Sequence, residues 1–162
     1  MNLSGSFLWA LGGAALAGVI VALAGGLLTE TGAWYHSLRK PAWKPPDWAF
    51  GPVWTVIIIL AVIAAALAWE QSDTAGMRAA VLLALLVNSV LNIAWSGVFF
   101  KMRRPDWALI EVGLLWLSIL ALIIVLGSVS TTAGWLLLPY LAWVSVAAFL
   151  NYRIVRMNGP FG

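Results

Sequence analysis

The sequence predicts an all-α integral membrane fold, a bundle of five transmembrane helices, on three observations. The 162 residues are 63% hydrophobic and only 9% charged, with a mean hydropathy of +0.97, whereas soluble domains carry roughly a quarter charged residues. The apolar residues gather into five runs that can cross a hydrocarbon core of about 30 Å at about 1.5 Å per residue. Eight of the nine Lys and Arg fall on one side of the topology that these runs define. A chain of this length has room for one domain.

The first helix spans about residues 7–28 and carries no charge. Ala22-Leu23-Ala24 resembles a signal-peptide cleavage site, but no Lys or Arg precedes the run and the run is too long for one. Ala10, Ala14, Gly18, Ala22 and Gly26 recur every fourth residue, giving a face of small side chains that lets another backbone approach closely. That face is expected to pack on a neighbouring helix or on a second subunit.

Residues 29–51 form the longest polar interval. Its core, Trp34 to Trp54, holds four prolines (Pro41, Pro45, Pro46, Pro52), four tryptophans (Trp34, Trp43, Trp48, Trp54), the only histidine and the cations Arg39, Lys40 and Lys44. Proline fixes φ, lacks an N–H and pushes the preceding residue towards extended geometry, so the centre of this stretch cannot be a continuous helix. Long loops are usually functional or disordered, and so many large rings argue for order. A stiff lid is expected.

The second helix is placed at about 52–69, with Pro52 in a first-turn position where the missing N–H costs nothing. A polar turn, Glu70 to Gly76, leads to the third helix at about 77–100. There Asn88, Asn92 and Ser96 recur every four residues and must face the interior, where they serve either interhelical hydrogen bonds or a ligand. After the basic turn Lys101 to Asp106, the fourth helix runs over about 107–127. Glu111 lies a turn inside it and is expected to snorkel or to pair with Arg103 or Arg104. The fifth helix, about 134–155, contains Pro139, which should kink it and free the carbonyl of Trp135.

With five spans, Arg39, Lys40, Lys44, Lys101, Arg103, Arg104, Arg153 and Arg156 lie on one side and Arg78 alone on the other. The positive-inside rule puts the first loop and the C-terminus in the cytosol and the N-terminus outside. The net charge of +3 is thereby explained by topology, and no nucleic-acid partner is expected. Trp9, Trp69, Trp107 and Trp135 fall near span ends, as an interfacial belt requires. There is no cysteine and one histidine, which leaves no thiolate chemistry, no nucleophile–base pair and no metal shell.

Counted from the cytosolic ends, Trp54, Asn92, Trp95, Ala147 and Asn151 share one leaflet's depth, with Trp143 a turn deeper. Tyr140, Trp143, Ala147 and Asn151 line one stripe of the fifth helix. An aromatic, amide-lined space under a stiff loop suits a flat, largely apolar ligand, although core packing also consumes such rings.

Trp34-Tyr35, Lys40-Pro41-x-Trp43-x-Pro45-Pro46, Phe50-x-Pro52-x-Trp54, Asn92-x-x-Trp95-x-x-x-Phe99-Phe100 and Pro139-Tyr140-x-x-Trp143-x-x-x-Ala147-x-x-Leu150-Asn151-Tyr152 closely resemble the tryptophan-rich sensory protein family, also called translocator proteins or peripheral benzodiazepine receptors. The resemblance implies a five-helix bundle, often dimeric, that binds porphyrins such as protoporphyrin IX or haem, sterols and benzodiazepine-type drugs. By position it implies that Tyr35, Trp43, Trp54, Asn92, Trp95, Trp143 and Ala147 meet the ligand while Pro45 and Pro46 shape the lid. Gly97 stands where some members carry a bulkier residue, which should loosen the pocket. Leu150, Tyr152 and Arg156 fit the loose cholesterol-recognition pattern, a weak motif in what looks like a bacterial chain.

Three functions follow as expectations. The first is a tetrapyrrole-binding sensor or carrier, with cytosolic cations placed to meet propionates. The second is porphyrin degradation, with Tyr35, Trp54 and Trp143 as redox or photochemical candidates. The third is transport, for which interior ionisable residues or paired broken helices are expected and only the Pro139 kink is found.

Overall fold

The computed structural model describes residues 5–161, and every regular element in that range is helical. Five long apolar segments cross the bundle: α1 (Gly5–Leu28), α3 (Asp47–Glu70), α4 (Ala75–Ser96) continued by a π-helical turn (Gly97–Lys101), α5 (Pro105–Val129), and the pair α6 (Thr131–Leu136) and α7 (Leu138–Asn158). A short helix, α2 (Ala33–Ser37), lies within the first loop. The protein is an integral membrane five-helix bundle, as the hydropathy predicts.

α1 contributes no fully buried residue, whereas α5 sends Ala108, Val112, Leu115, Ile119, Leu122 and Leu126 inward at helical spacing. α5 is therefore the central stave, packed against α4, α6 and α7, while α1 leans mainly on α3. The outward side chains of α1 and α4, such as Leu23, Leu27, Leu83 and Leu86, are more than half exposed. In a bilayer lipid covers such side chains at no cost.

Two helix ends differ from expectation. α3 begins at Asp47, so Pro52 sits inside the helix and not in its first turn. Pro46 supplies the extended entry, Asp47 places a carboxylate at the positive helix start, and Pro52 leaves the carbonyl of Trp48 without its helical donor. The first loop is consequently shorter than 29–51 and partly helical. α4 ends in a π-helical turn opened by Gly97, closed by Met102 N–H to the Gly97 carbonyl (2.9 Å) and Arg104 N–H to the Val98 carbonyl (3.1 Å). Arg103 adopts the left-handed conformation (φ 54°) to turn the chain into α5. The break at Pro139 is where it was expected, with α6 stopping at Leu136 and Pro139 in the first turn of α7.

Glycine sets two close crossings. A Cβ on Gly18 would lie 3.0 Å from Ile58 Cγ2 and Val62 Cγ2, so the small-residue row of α1 is used at this position against α3 within the chain. A Cβ on Gly134 would lie 3.0 Å from the Gly127 Cα, where the start of α6 passes the end of α5 backbone to backbone.

Candidate ligand-binding site

Asn88 and Asn92 of the polar row of α4 join a chain of hydrogen bonds that ties three helices together. Asn92 Nδ2 donates to Tyr140 Oη (2.8 Å), Tyr140 Oη donates to Asn88 Oδ1 (3.2 Å), Asn88 Nδ2 donates to Ser118 Oγ (2.9 Å), and Ser118 Oγ donates to the Leu115 carbonyl (2.7 Å). In lipid each of these groups would otherwise stay unpaired, which explains why the row faces inward. Asn88 and Asn92 also line a cavity of about 110 Å³, with Trp54, Tyr140, Gly18 and Ile57 among its walls.

Trp54, Trp95 and Trp143 all pack on one buried cluster built on Ile57, Val112, Leu115, Ile119, Tyr140 and Val144. Trp54 meets Tyr140 edge-on at 5.9 Å, and Trp143 meets Phe50 edge-on at 5.3 Å. Trp95 reaches across to Phe99 (5.3 Å) and Phe100 (6.0 Å), joining this cluster to a second one around Tyr35, Leu38, Leu150 and Ile154. Such offset and edge-on pairs are the arrangements that aromatic quadrupoles favour.

The lid sits on the second cluster. Tyr35 is buried against Phe100 at 5.6 Å, and the Lys40 ammonium lies 4.2 Å above its ring while bonding the Tyr35 carbonyl. Burial, followed by the Asp47 charge, pushes the Tyr35 hydroxyl up to about 12; Asp47 Oδ1 lies 3.4 Å from it. Burial also lowers the Lys40 pKa, with the nearby Lys44 charge acting the same way. Lys101 pairs with Glu30 across the loop and, by that hydrogen bond, holds the Glu30 carboxyl below its usual range. Pro45 is half-buried, Pro46 is exposed, and both sit at the mouth of α3.

Not every expected residue converges. Trp43 is 45% exposed and stacks outward on Phe149 (5.2 Å, 14° between planes), because the loop carries it over the outside of α7. Tyr35 belongs to the lid cluster and not to the cavity wall. Ala147 is half-buried on α7 and does not line the cavity. Leu150 is buried while Tyr152 is 43% exposed, so the members of the sterol motif face different ways. Among the redox candidates, Trp54 and Trp143 share a cluster and Tyr35 stands in the other. Glu111 does not pair with Arg103 or Arg104. Asp106 takes Arg104 (2.5 Å), the Arg103 guanidinium lies over Trp34 (5.9 Å), and both Glu111 carboxyl oxygens are buried without a hydrogen-bond partner among the described residues. Asn151, 1% exposed, and the indole N–H groups of Trp95 and Trp143 are likewise buried and unpaired. Depth, stripe and motif all place Asn151 in the sequence, but none of them shows that its amide stays unpaired.

The class these features define is a five-helix integral membrane protein with tryptophans packed together beneath an ordered first loop. The chain belongs to the TspO/MBR family, whose pattern it matches over residues 13–157. It is 38% identical over 144 residues to the tryptophan-rich protein TspO of Chlorobaculum tepidum, covering 85% of this chain and 89% of that one. It is 36% identical over 133 residues to the tryptophan-rich sensory protein of Cereibacter sphaeroides, covering 82% of each. It is 36% identical over 126 residues to the human translocator protein, covering 77% of this chain and 75% of that one.

Proposed function

We propose that the protein is a membrane receptor or carrier for flat hydrophobic ligands, with porphyrins such as protoporphyrin IX or haem-type tetrapyrroles as the main class and sterol- or drug-like molecules as further ligands. The observation that carries this reading is the gathering of Trp54, Trp95 and Trp143 on one cluster at the lid end of the bundle. Their faces supply stacking surface, and Arg39, Arg153 and Arg156, exposed at the same end, supply charge for propionates. The lid end is proposed to face the cytosol, with the N-terminus outside, and the working unit to be a homodimer. Because Gly18 is occupied by α3, the dimer contact falls on other small or exposed positions, such as Gly26 of α1 or the outer face of α4.

The cavity of about 110 Å³ is smaller than the roughly 300 Å³ or more that drug-sized ligands need. A ligand therefore enters by parting the packed elements. The test is a titration of purified protein with protoporphyrin IX, followed by tryptophan quenching in darkness and then in light. Saturable quenching in the dark supports the receptor reading, and its absence overturns it. Bleaching of the bound porphyrin in light that is lost in Trp54→Phe would instead favour porphyrin degradation.

A further inference from the structure

Two hollows meet at Ile57. One is the cavity of about 110 Å³; the other is an open groove of about 490 Å³ between α3 and α7, walled by Pro52, Val56 and Ile57 on one side and by Pro139, Trp143 and Val146 on the other. Ile57 is 3% exposed and is the one described residue that lines both. Its side chain thus stands between the cavity and the groove.

The groove exists because α3 and α7 barely touch, although α3 packs closely on α1 and α7 on α5. Each brings a proline to this seam: Pro52 inside α3, and Pro139 at the start of α7 just after the break at Leu137. Proline removes a helical hydrogen bond and bends the helix locally, so the two surfaces do not interlock along their length. Both walls belong to membrane-spanning segments, so whatever fills the groove comes from the bilayer. The walls carry no charge. Their one buried unpaired polar atom is Trp143 Nε1, a donor that a ligand oxygen would satisfy.

We propose that the seam between α3 and α7 is a side entrance through which a flat, largely apolar ligand bearing a hydrogen-bond acceptor passes from the bilayer into the cavity, with Ile57 as the gate. The proposal rests on the ligand-binding function above. The groove has the size of a ligand site and the cavity does not, so displacing Ile57 joins the two into a space that a ligand fits. A β-branched side chain in a helix has essentially one χ1 rotamer. The gate is therefore shut at rest, and opening it requires α3 to shift against α7. Entry under the lid would instead draw an apolar molecule through water and past the two hydrogen bonds by which the Asn158 side-chain amide at the end of α7 holds the Arg39 backbone.

The chain has no cysteine, which permits a clean test. Val56→Cys and Val146→Cys are bridged across the groove with a short bis-methanethiosulfonate, and protoporphyrin IX binding to the protein in lipid nanodiscs is followed by stopped-flow tryptophan quenching. Bridging should slow association and dissociation at least tenfold, leave the dissociation constant within about threefold, and be reversed by reductant. Each single-cysteine protein carrying the reagent should be slowed far less than the bridged protein. Ile57→Ala should speed both rates several-fold. Unchanged rates in the bridged protein would overturn the entrance, most clearly if a bridge between Arg39→Cys and Asn158→Cys did slow binding. No quenching in the unbridged protein would sink the binding function, and the entrance with it.

Discussion

Asn158, the last residue of α7, holds the backbone of Arg39 with both ends of its side-chain amide. Its Oδ1 accepts from the Arg39 N–H at 2.7 Å and its Nδ2 donates to the Arg39 carbonyl at 2.8 Å, while the same Nδ2 also reaches the Ile154 carbonyl at 2.8 Å. This pairing copies one rung of a β-ladder between a loop and a helix end. It fixes the middle of the first loop, where the prolines bar regular structure, to the bundle.

Asn158→Ala removes both bonds to Arg39, which at about 0.5–1.5 kcal/mol each should loosen the loop by one to two powers of ten in local opening. Hydrogen exchange at Leu38 and Arg39 should accelerate accordingly, with exchange in the interior of α5 unchanged. Uniform acceleration throughout the bundle would show a global effect and refute the local latch.

Tyr35 predicts an alkaline dependence. Its hydroxyl ionises near 12 in the folded protein against 10.0 ordinarily, chiefly because it is buried. The folded state holds the proton longer than the unfolded state, so stability is full below pH 10, falls as pH rises between 10 and 12, and levels beyond. Thermal unfolding at graded alkaline pH should show this slope, and Tyr35→Phe should flatten it. A slope equally steep in the variant would assign it to another group.

Much of this architecture was legible because its causes are local. Uninterrupted apolar runs mark the spans, Pro139 marks the break before α7, and counting from the helix ends is enough to bring Trp54 and Trp95 to one depth with Trp143 a turn deeper. What was not legible depends on contacts distant in sequence. Pro46 and Pro52 both suit a helix start, and only the path of the loop decides for the earlier one. Trp43 turns outward because Phe149 waits there, a partner more than a hundred residues away. Glu111 loses the expected partner because Asp106 lies nearer to Arg104. The π-helical turn carries no sequence sign beyond Gly97.

Gly134→Ala should be costly although it adds one methyl, since the new Cβ would meet the Gly127 Cα at 3.0 Å and the Ile123 carbonyl at 3.4 Å. Backbone cannot rotate aside as a side chain can. A loss on the order of 1–3 kcal/mol is expected, read as a lower thermal midpoint in detergent. Gly113→Ala, with open space around it, should change the midpoint little. Equal midpoints for the two variants would refute the close crossing.

The cation distribution predicts orientation. A cysteine at exposed Ser37, in the loop with Arg39 and Lys40, should resist a membrane-impermeant maleimide added to intact cells, and one at Asp73, in the opposite turn, should react. The reverse pattern would invert the topology.

The ligand site makes the sharpest demand. If a flat ligand lies against Trp54, Trp95 and Trp143, removing one ring loses stacking and buried area of about 1–3 kcal/mol, a tenfold to hundredfold weaker dissociation constant. Trp54→Ala should weaken binding because this ring lines the cavity and abuts Tyr140, and Trp143→Ala should weaken it because this ring walls the groove and abuts Phe50. Trp9→Ala is the control, since that ring is 85% exposed on α1 and takes no part in either hollow. Trp43→Ala, outward on Phe149, should also leave affinity nearly unchanged, which separates this site from one in which every loop tryptophan meets the ligand. The deciding measurement is a protoporphyrin IX dissociation constant for each variant, with helix content checked by circular dichroism. Equal losses for Trp9→Ala and Trp143→Ala, in proteins of native helix content, would place the ligand elsewhere.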